Sequence, residues 1–183
     1  MATISLSRLG MLSVLSLILC IPGMARSDEK MDSAELVIRN RVSLTQEGAE
    51  LILKAAQAKA RLMEKNVNIA IVDDGGHPIL FVRMNKARPA SSYTALTKAV
   101  SAATLRAPTG PFGPKDQEPN LLLNFSLQNA ASASGGRMTS LYGGVPIIVD
   151  GQVIGAVGVG GATGEEDAEI ARAGIDALLK QLK

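Results

Sequence analysis

The stretch that most constrains this chain runs from Gly143 to Gly164, GGVPIIVDGQVIGAVGVGGATG. Two apolar, β-branched runs, Val145–Val149 and Val153–Val159, flank Asp150-Gly151-Gln152. Aspartate-glycine between such runs marks a tight β-hairpin, because glycine accepts the positive φ that the turn demands. Glycines recur at Gly155, Gly158, Gly160 and Gly161. A strand glycine packs nothing and costs backbone entropy, so several together predict that another backbone, a subunit or a flat ligand approaches closely. The expectation is that a neighbouring subunit covers this bare surface.

A second stretch echoes the first. Ile69–Asp73 (IAIVD) leads through Asp74-Gly75-Gly76-His77-Pro78 into Ile79–Met84 (ILFVRM). Both stretches read as apolar strand, glycine turn, apolar strand, and so as two hairpins of one antiparallel sheet. His77, the only histidine, sits in the turn of this one.

Helices surround the hairpins. Thr45 is placed to cap a helix over Gln46–Lys65, with Leu44 as its staple. Ala49, Ile52, Leu53, Ala56, Ala60 and Met63 follow amphipathic spacing there. Ser91 is read as the cap of a second helix, Ser92–Leu105, which Pro108 stops. From Thr109 to Gly136 the chain is irregular: TGPFGPKDQEPN carries three prolines and two glycines, and Leu121–Ala133 has room for a short helix. Thr163 and Glu166 have capping-box spacing ahead of a last amphipathic helix. The fold class is therefore α/β of the α+β type. An antiparallel sheet of two hairpins is flanked by helices, in the order α-β-β-α-(irregular)-β-β-α.

The N-terminus reads as a secretion signal. Arg8 precedes the apolar run Leu9–Ile21, and small residues follow, for cleavage after Ala25 or after Ser27. That run is well short of the ~20 residues a membrane span needs. The expected organisation is a signal peptide over residues 1–25, a flexible arm over 26–43 and one domain over 44–183. The mature protein is then periplasmic or secreted, with no membrane attachment. Cys20, the only cysteine, falls in the leader, which excludes disulfides and thiolate chemistry from the mature chain. A net charge of +2, no tryptophan, three phenylalanines and two tyrosines argue against nucleic-acid binding.

One histidine without a mature cysteine excludes His-rich zinc sites and Cys–His nucleophile pairs. No G-x-S-x-G elbow is present. The glycines before Glu165, Glu166 and Asp167 lack a phosphate-binding lysine, and those carboxylates repel phosphate. His77 has three readings: an iron ligand, a proton acceptor, or a solvated turn residue. Arg83, Lys86 and Arg88 would suit haem propionates, and the apolar strand faces would suit the macrocycle. Asp73 and Asp74 either join His77 at a metal or hold the turn through side-chain-to-backbone bonds. Tyr93, Tyr142, Met84 and Met138 compete as iron ligands, although a tyrosine must first lose a proton from a pKa near ~10.

Together these motifs resemble the GlcG/HbpS family, also known as the haem-degrading or DUF336 domain. VDDGGHPILFVRMN resembles its V-D-x-G-G-H…F-x-R-M-D signature. Lys98-Ala99-x-Ser101-Ala102-Ala103 with Pro108-Thr109 is similar to its K-A-x-T-A-A…P-T stretch. Gly143-Gly144-Val145-Pro146-Ile147, Ile154–Val159 and Gly161-Ala162-Thr163-Gly164-Glu165-x-Asp167 resemble its C-terminal end, and the likeness covers about Leu44–Leu179. Gly160 and Ser101 depart from the family's serine and threonine. The resemblance implies an α/β sandwich, homo-oligomers from dimers to octamers, and haem as cofactor. It points to an exported haem (tetrapyrrole)-binding protein, with or without slow oxidative haem breakdown, using His77, Arg83, Lys86, Arg88 and Lys98. The alternative is a small-molecule enzyme or enzyme accessory, in which His77 acts as a general base near Lys98 and Arg83 on a small organic acid.

Overall fold

In the computed structural model, residues 38–111 and 118–183 are described. The expected signal peptide, residues 26–37 of the arm and residues 112–117 of the proline-rich segment lie outside the described residues. Residues Arg39–Lys183 form one compact unit. Its elements are α1 (Gln46–Leu62), β1 (Asn68–Asp73), β2 (Pro78–Arg83), α2 (Ser91–Leu105), α3 (Leu121–Ala133), β3 (Gly144–Val149), β4 (Gln152–Gly160) and α4 (Gly164–Gln181). This is the expected order, with α3 occupying the second half of the irregular segment.

The two hairpins join along β1 and β4, giving one sheet of order β2-β1-β4-β3 with every pair antiparallel. Asp150 and Gly151, at φ of 50° and 73°, make the two-residue turn between β3 and β4. Positive φ at both positions matches the right-handed twist of the strands. Strand alternation then sends Ile69, Ile71, Val157 and Val159 to one face, where they pack with Ile52 of α1 and Ile170 of α4. Ala70, Val72 and Ala156 go to the other face and meet Ala95, Ala99 and Ala102 of α2. The result is three layers: α1 and α4, the sheet, and α2. Ile52, Ile69, Ile71, Ile147 and Ile170 are fully buried, each contributing about 1.5–3 kcal/mol.

Gly158 and Gly160 meet α2, Gly155 abuts the Val72 backbone of β1 and Gly161 the Asn66–Val67 backbone, so the same chain covers the surface expected to take a neighbouring subunit. A Cβ on Gly158 would lie 2.1 Å from the Ala95 carbonyl oxygen and 2.4 Å from the Ala99 nitrogen. One on Gly160 would lie 2.7 Å from the Ser91 carbonyl oxygen. Alanines on the helix and glycines on the strand let the two backbones approach to a distance no larger pair would permit.

Helix ends differ in detail from the sequence reading. α1 stops at Leu62, because Glu64 turns left-handed at φ 56°. Ser91 does not cap α2 but lies inside it. Ala90 holds the cap position without a side-chain bond, and the buried Ser91 hydroxyl oxygen accepts from Arg88 Nε at 2.9 Å. Thr45 and Thr163 do cap α1 and α4, and Thr163 forms the full capping box with Glu166. Donation from the Thr163 backbone N–H, and then Lys65 at 3.0 Å, holds the Glu166 carboxyl below the usual glutamate range. Within the arm, Arg41 pairs with Asp74, and Val42 packs against the core edge.

Candidate functional site

The β1–β2 turn presents His77. Asp73 Oδ1 accepts the backbone N–H of Gly75 at 2.9 Å and of His77 at 2.8 Å, so this carboxylate fixes the turn. His77 Nδ1 stands 3.3 Å from both Asp73 oxygens. Gly76, at φ 80°, brings the turn onto α2, where an added Cβ would meet Val100 at 3.1 Å. The imidazole itself is 75% exposed. A proton on Nδ1, shared with Asp73, leaves the Nε2 lone pair facing outward, and Nε2 has no protein partner among the described residues.

Of the two aspartates, Asp73 orients the ring and Asp74 is taken by Arg41. Among the described residues, no group of three His, Cys, Asp or Glu side chains could hold a free metal ion. Ligation of a haem iron needs only one protein ligand. The apolar surface beside the turn is β2. Helix α2 packs mainly over β4, β1 and β3, and Phe81 of β2 remains 43% exposed.

The basic residues lie elsewhere. Arg83 ends β2, five positions beyond Pro78 and so roughly 17 Å along the strand from the histidine turn. There it lines a depression of about 340 Å³ with Arg61 and Asn66. Lys86 is an exposed turn residue at φ 67°. Arg88 lies at the Asn68–Gly160 end of the sheet, where its carbonyl oxygen accepts from Asn68 Nδ2 at 3.1 Å. Within one chain, therefore, Arg83, Lys86 and Arg88 are not gathered around His77. Tyr93 is exposed on α2, Tyr142 is half-exposed, and Met84 packs against the core.

Lys98 occupies a different setting. It is 4% exposed, and its Nζ donates to the Val159 carbonyl oxygen at 2.9 Å and to Asp167 Oδ2 at 2.8 Å. Asp167, 1% exposed, accepts the Ala162 N–H at 3.1 Å on its other oxygen. This ion pair floors a cavity of about 290 Å³ that Arg88, Thr94, Tyr142 and Glu165 also line. Val159 and Gly155 stand four positions apart on β4, and Gly155 is the residue opposite Asp73. The cavity and the histidine turn are thus separated by roughly 13 Å of strand. The general-base arrangement of His77 beside Lys98 and Arg83 is not assembled within a single chain.

Sequence reasoning named Lys98 but not its partner. Asp167 is 69 residues away, and no local pattern pairs them. One signal was available: Lys98 is the only charge in α2, on the face that buries Ala95 and Ala102. A lysine on such a face needs a buried counter-charge.

Comparison with known proteins agrees with this architecture. Escherichia coli K12 GlcG is 38% identical over 122 residues, covering 67% of this chain and 84% of GlcG. A double-mutant form of Streptomyces reticuli HbpS superposes with a TM-score of 0.63 at 29% identity, covering 77% of this chain and 90% of that one. A PduOC:haem complex superposes at 0.59 with 25% identity, covering 74% and 95% of the two chains. The family model for the haem-degrading protein HbpS-like family matches residues 44–176, and the chain belongs to that family.

Proposed function

We propose that this protein captures haem or a related tetrapyrrole, with His77 Nε2 as the axial ligand. The observation that carries this reading is the histidine turn. The sole imidazole is exposed, its Nδ1 is oriented by Asp73, and its Nε2 is left without a protein partner. A carboxylate on the far nitrogen is the arrangement that fixes a metal-ligating histidine and raises its basicity. Exposed Phe81 gives a flat macrocycle apolar surface on the same hairpin. The haem-bound relative supports the choice of ligand. Bound iron would supply the chemistry; the chain supplies the ligand and its orientation. Arg83, Lys86 and Arg88, at the opposite end of the sheet from the turn, would then serve propionates only from a neighbouring copy. Lys98, committed to Asp167, takes no direct part.

The test is a haem titration of wild type against His77→Ala, followed at the Soret band. Loss of the imidazole should shift the Soret maximum and weaken binding at least ~10-fold, about 1.4 kcal/mol. An unchanged maximum and affinity would move the ligand to Tyr93, Tyr142 or a methionine. No Soret change in wild type would remove haem altogether.

The proposal includes export. Leader cleavage after Ala25 or Ser27 would deliver the mature chain to the periplasm or beyond, and intact mass of the exported protein tests it. It also includes self-association, from dimer to octamer. The exposed side chains Leu121, Leu122 and Phe125 on α3 support this. Light scattering that finds only monomer at micromolar concentration would contradict it.

A further inference from the structure

The cavity floored by Lys98 and Asp167 has chemistry of its own. An ammonium group has three N–H donors. Lys98 Nζ commits two, to Val159 O and Asp167 Oδ2, and no acceptor meets the third among the described residues. Lys98 nonetheless lines the cavity while only 4% exposed. The cavity opens to solvent, so an anionic acceptor entering it would replace water at that donor with a charge-assisted hydrogen bond. Arg88 stands on the same wall. Its Nε is anchored on the Ser91 hydroxyl at 2.9 Å, and its terminal nitrogens have no partner among the described residues. A guanidinium held in this way offers a planar fork to a carboxylate.

Tyr142 is fitted to the rim by glycines. A Cβ on Gly110 would lie 2.5 Å from ring atom Cε1, and one on Gly164 would lie 2.4 Å from the tyrosine Cβ. A side chain at Gly143 would strike Lys98 Nζ at 2.9 Å. Gly110 and Gly164 thus make room for the tyrosine, and Gly143 for the lysine ammonium.

Charge limits the ligand. Arg88 and Lys98 are cancelled by Asp167 and Glu165 on the same cavity, so added negative charge must be held by directed hydrogen bonds, which disfavours a phosphate dianion more than a monoanion. At about 290 Å³ the cavity is at the small end of ligand sites. We propose that this cavity binds a small organic monocarboxylate, its carboxylate held by Arg88 and by the third N–H of Lys98, with Tyr142 closing over its apolar end. The site is independent of the histidine turn.

The test uses the haem-free mature protein and monocarboxylates of two to five carbons, each paired with its neutral amide. Amide chemical shifts of Gly161, Ala162 and Glu165 are the readout. The expected result is saturable shifts with a Kd in the millimolar range or tighter for at least one acid, and at least 10-fold weaker binding of its amide. Arg88→Gln should weaken the acid at least 10-fold. Gly164→Ala suits a helix but displaces Tyr142, and should weaken it also, with the remaining spectrum reporting an intact fold. Failure of every acid to saturate, equal affinity for acid and amide, or an unchanged affinity in Arg88→Gln would each overturn the proposal. The haem reading is tested apart from these outcomes, by the titration of wild type against His77→Ala, in which Arg88 is unchanged.

Discussion

Replacing Lys98 by methionine should destabilise the protein far more than breaking any surface ion pair. Methionine has a similar length and keeps the packing of the stem against α2's neighbours. What it removes is the cation that sits 2.8 Å from Asp167, with both side chains at least nine-tenths buried. Asp167 then keeps one N–H donor, from Ala162, and a buried charge without a counter-ion. Breaking one side of such a pair costs about 3–5 kcal/mol. Against a total stability of about 5–15 kcal/mol that is a large fraction. For a domain of this size it should lower Tm by roughly 10 °C. Lys59→Met provides the internal comparison. Its pair with Glu169 is as short, 2.6 Å, but the side chains are 31% and 54% exposed, so the loss should be below about 1 kcal/mol. The double variant Lys98→Met with Asp167→Asn should recover part of the loss, since the amide oxygen can still accept from Ala162 and no charge is stranded. Urea denaturation of the four proteins measures all of these. A cost for Lys98→Met no larger than that for Lys59→Met would refute the claim that the pair is desolvated.

Other outcomes follow from single contacts. Gly158→Ala drives a methyl group to 2.1 Å from a helix carbonyl that cannot rotate away, so it should cost about 3 kcal/mol in denaturant melts. Gly151→Ala meets open space but keeps φ at 73°, so it should cost only about 1–2 kcal/mol. The Glu166 carboxyl titrates below its usual range because the Thr163 N–H and then Lys65 favour its charged form. Its contribution is therefore fully present above the unfolded value, about pH 4.3, and is lost as pH falls through the lower folded value. The Tm difference between wild type and Glu166→Gln should narrow steadily as pH is lowered through that window; a difference independent of pH would contradict it.

Local chemistry made most of the fold legible. The Asp150-Gly151 turn, the apolar runs and the two threonine caps each act within a few residues, so they could be read in order along the chain. The start of α2 could not, because Ser91 looks like a cap until Arg88 claims its hydroxyl. The strand glycines announced a close approach but not its partner. For Gly158 that partner is Ala95 and Ala99, more than fifty residues earlier, brought there by the packing of α2 across β4 and β1. His77 was legible as a candidate from its uniqueness and its turn. The orientation of its ring by Asp73 follows from the same turn. The distance of Arg83 and Arg88 from it was not legible, since neighbours in sequence are carried to the far end of the sheet by an extended strand.

The central claim is that His77 Nε2 ligates haem iron, and the chain's single histidine permits a direct measurement. Untagged mature protein labelled with ¹⁵N only at histidine carries one labelled imidazole. With ferric haem bound, pulsed electron paramagnetic resonance reads whether a ¹⁵N nucleus is coordinated to the iron. Ligation by His77 predicts a strong hyperfine coupling from one directly bound ¹⁵N, absent from the unlabelled protein. Haem bound at full occupancy with no ¹⁵N coupling would contradict it.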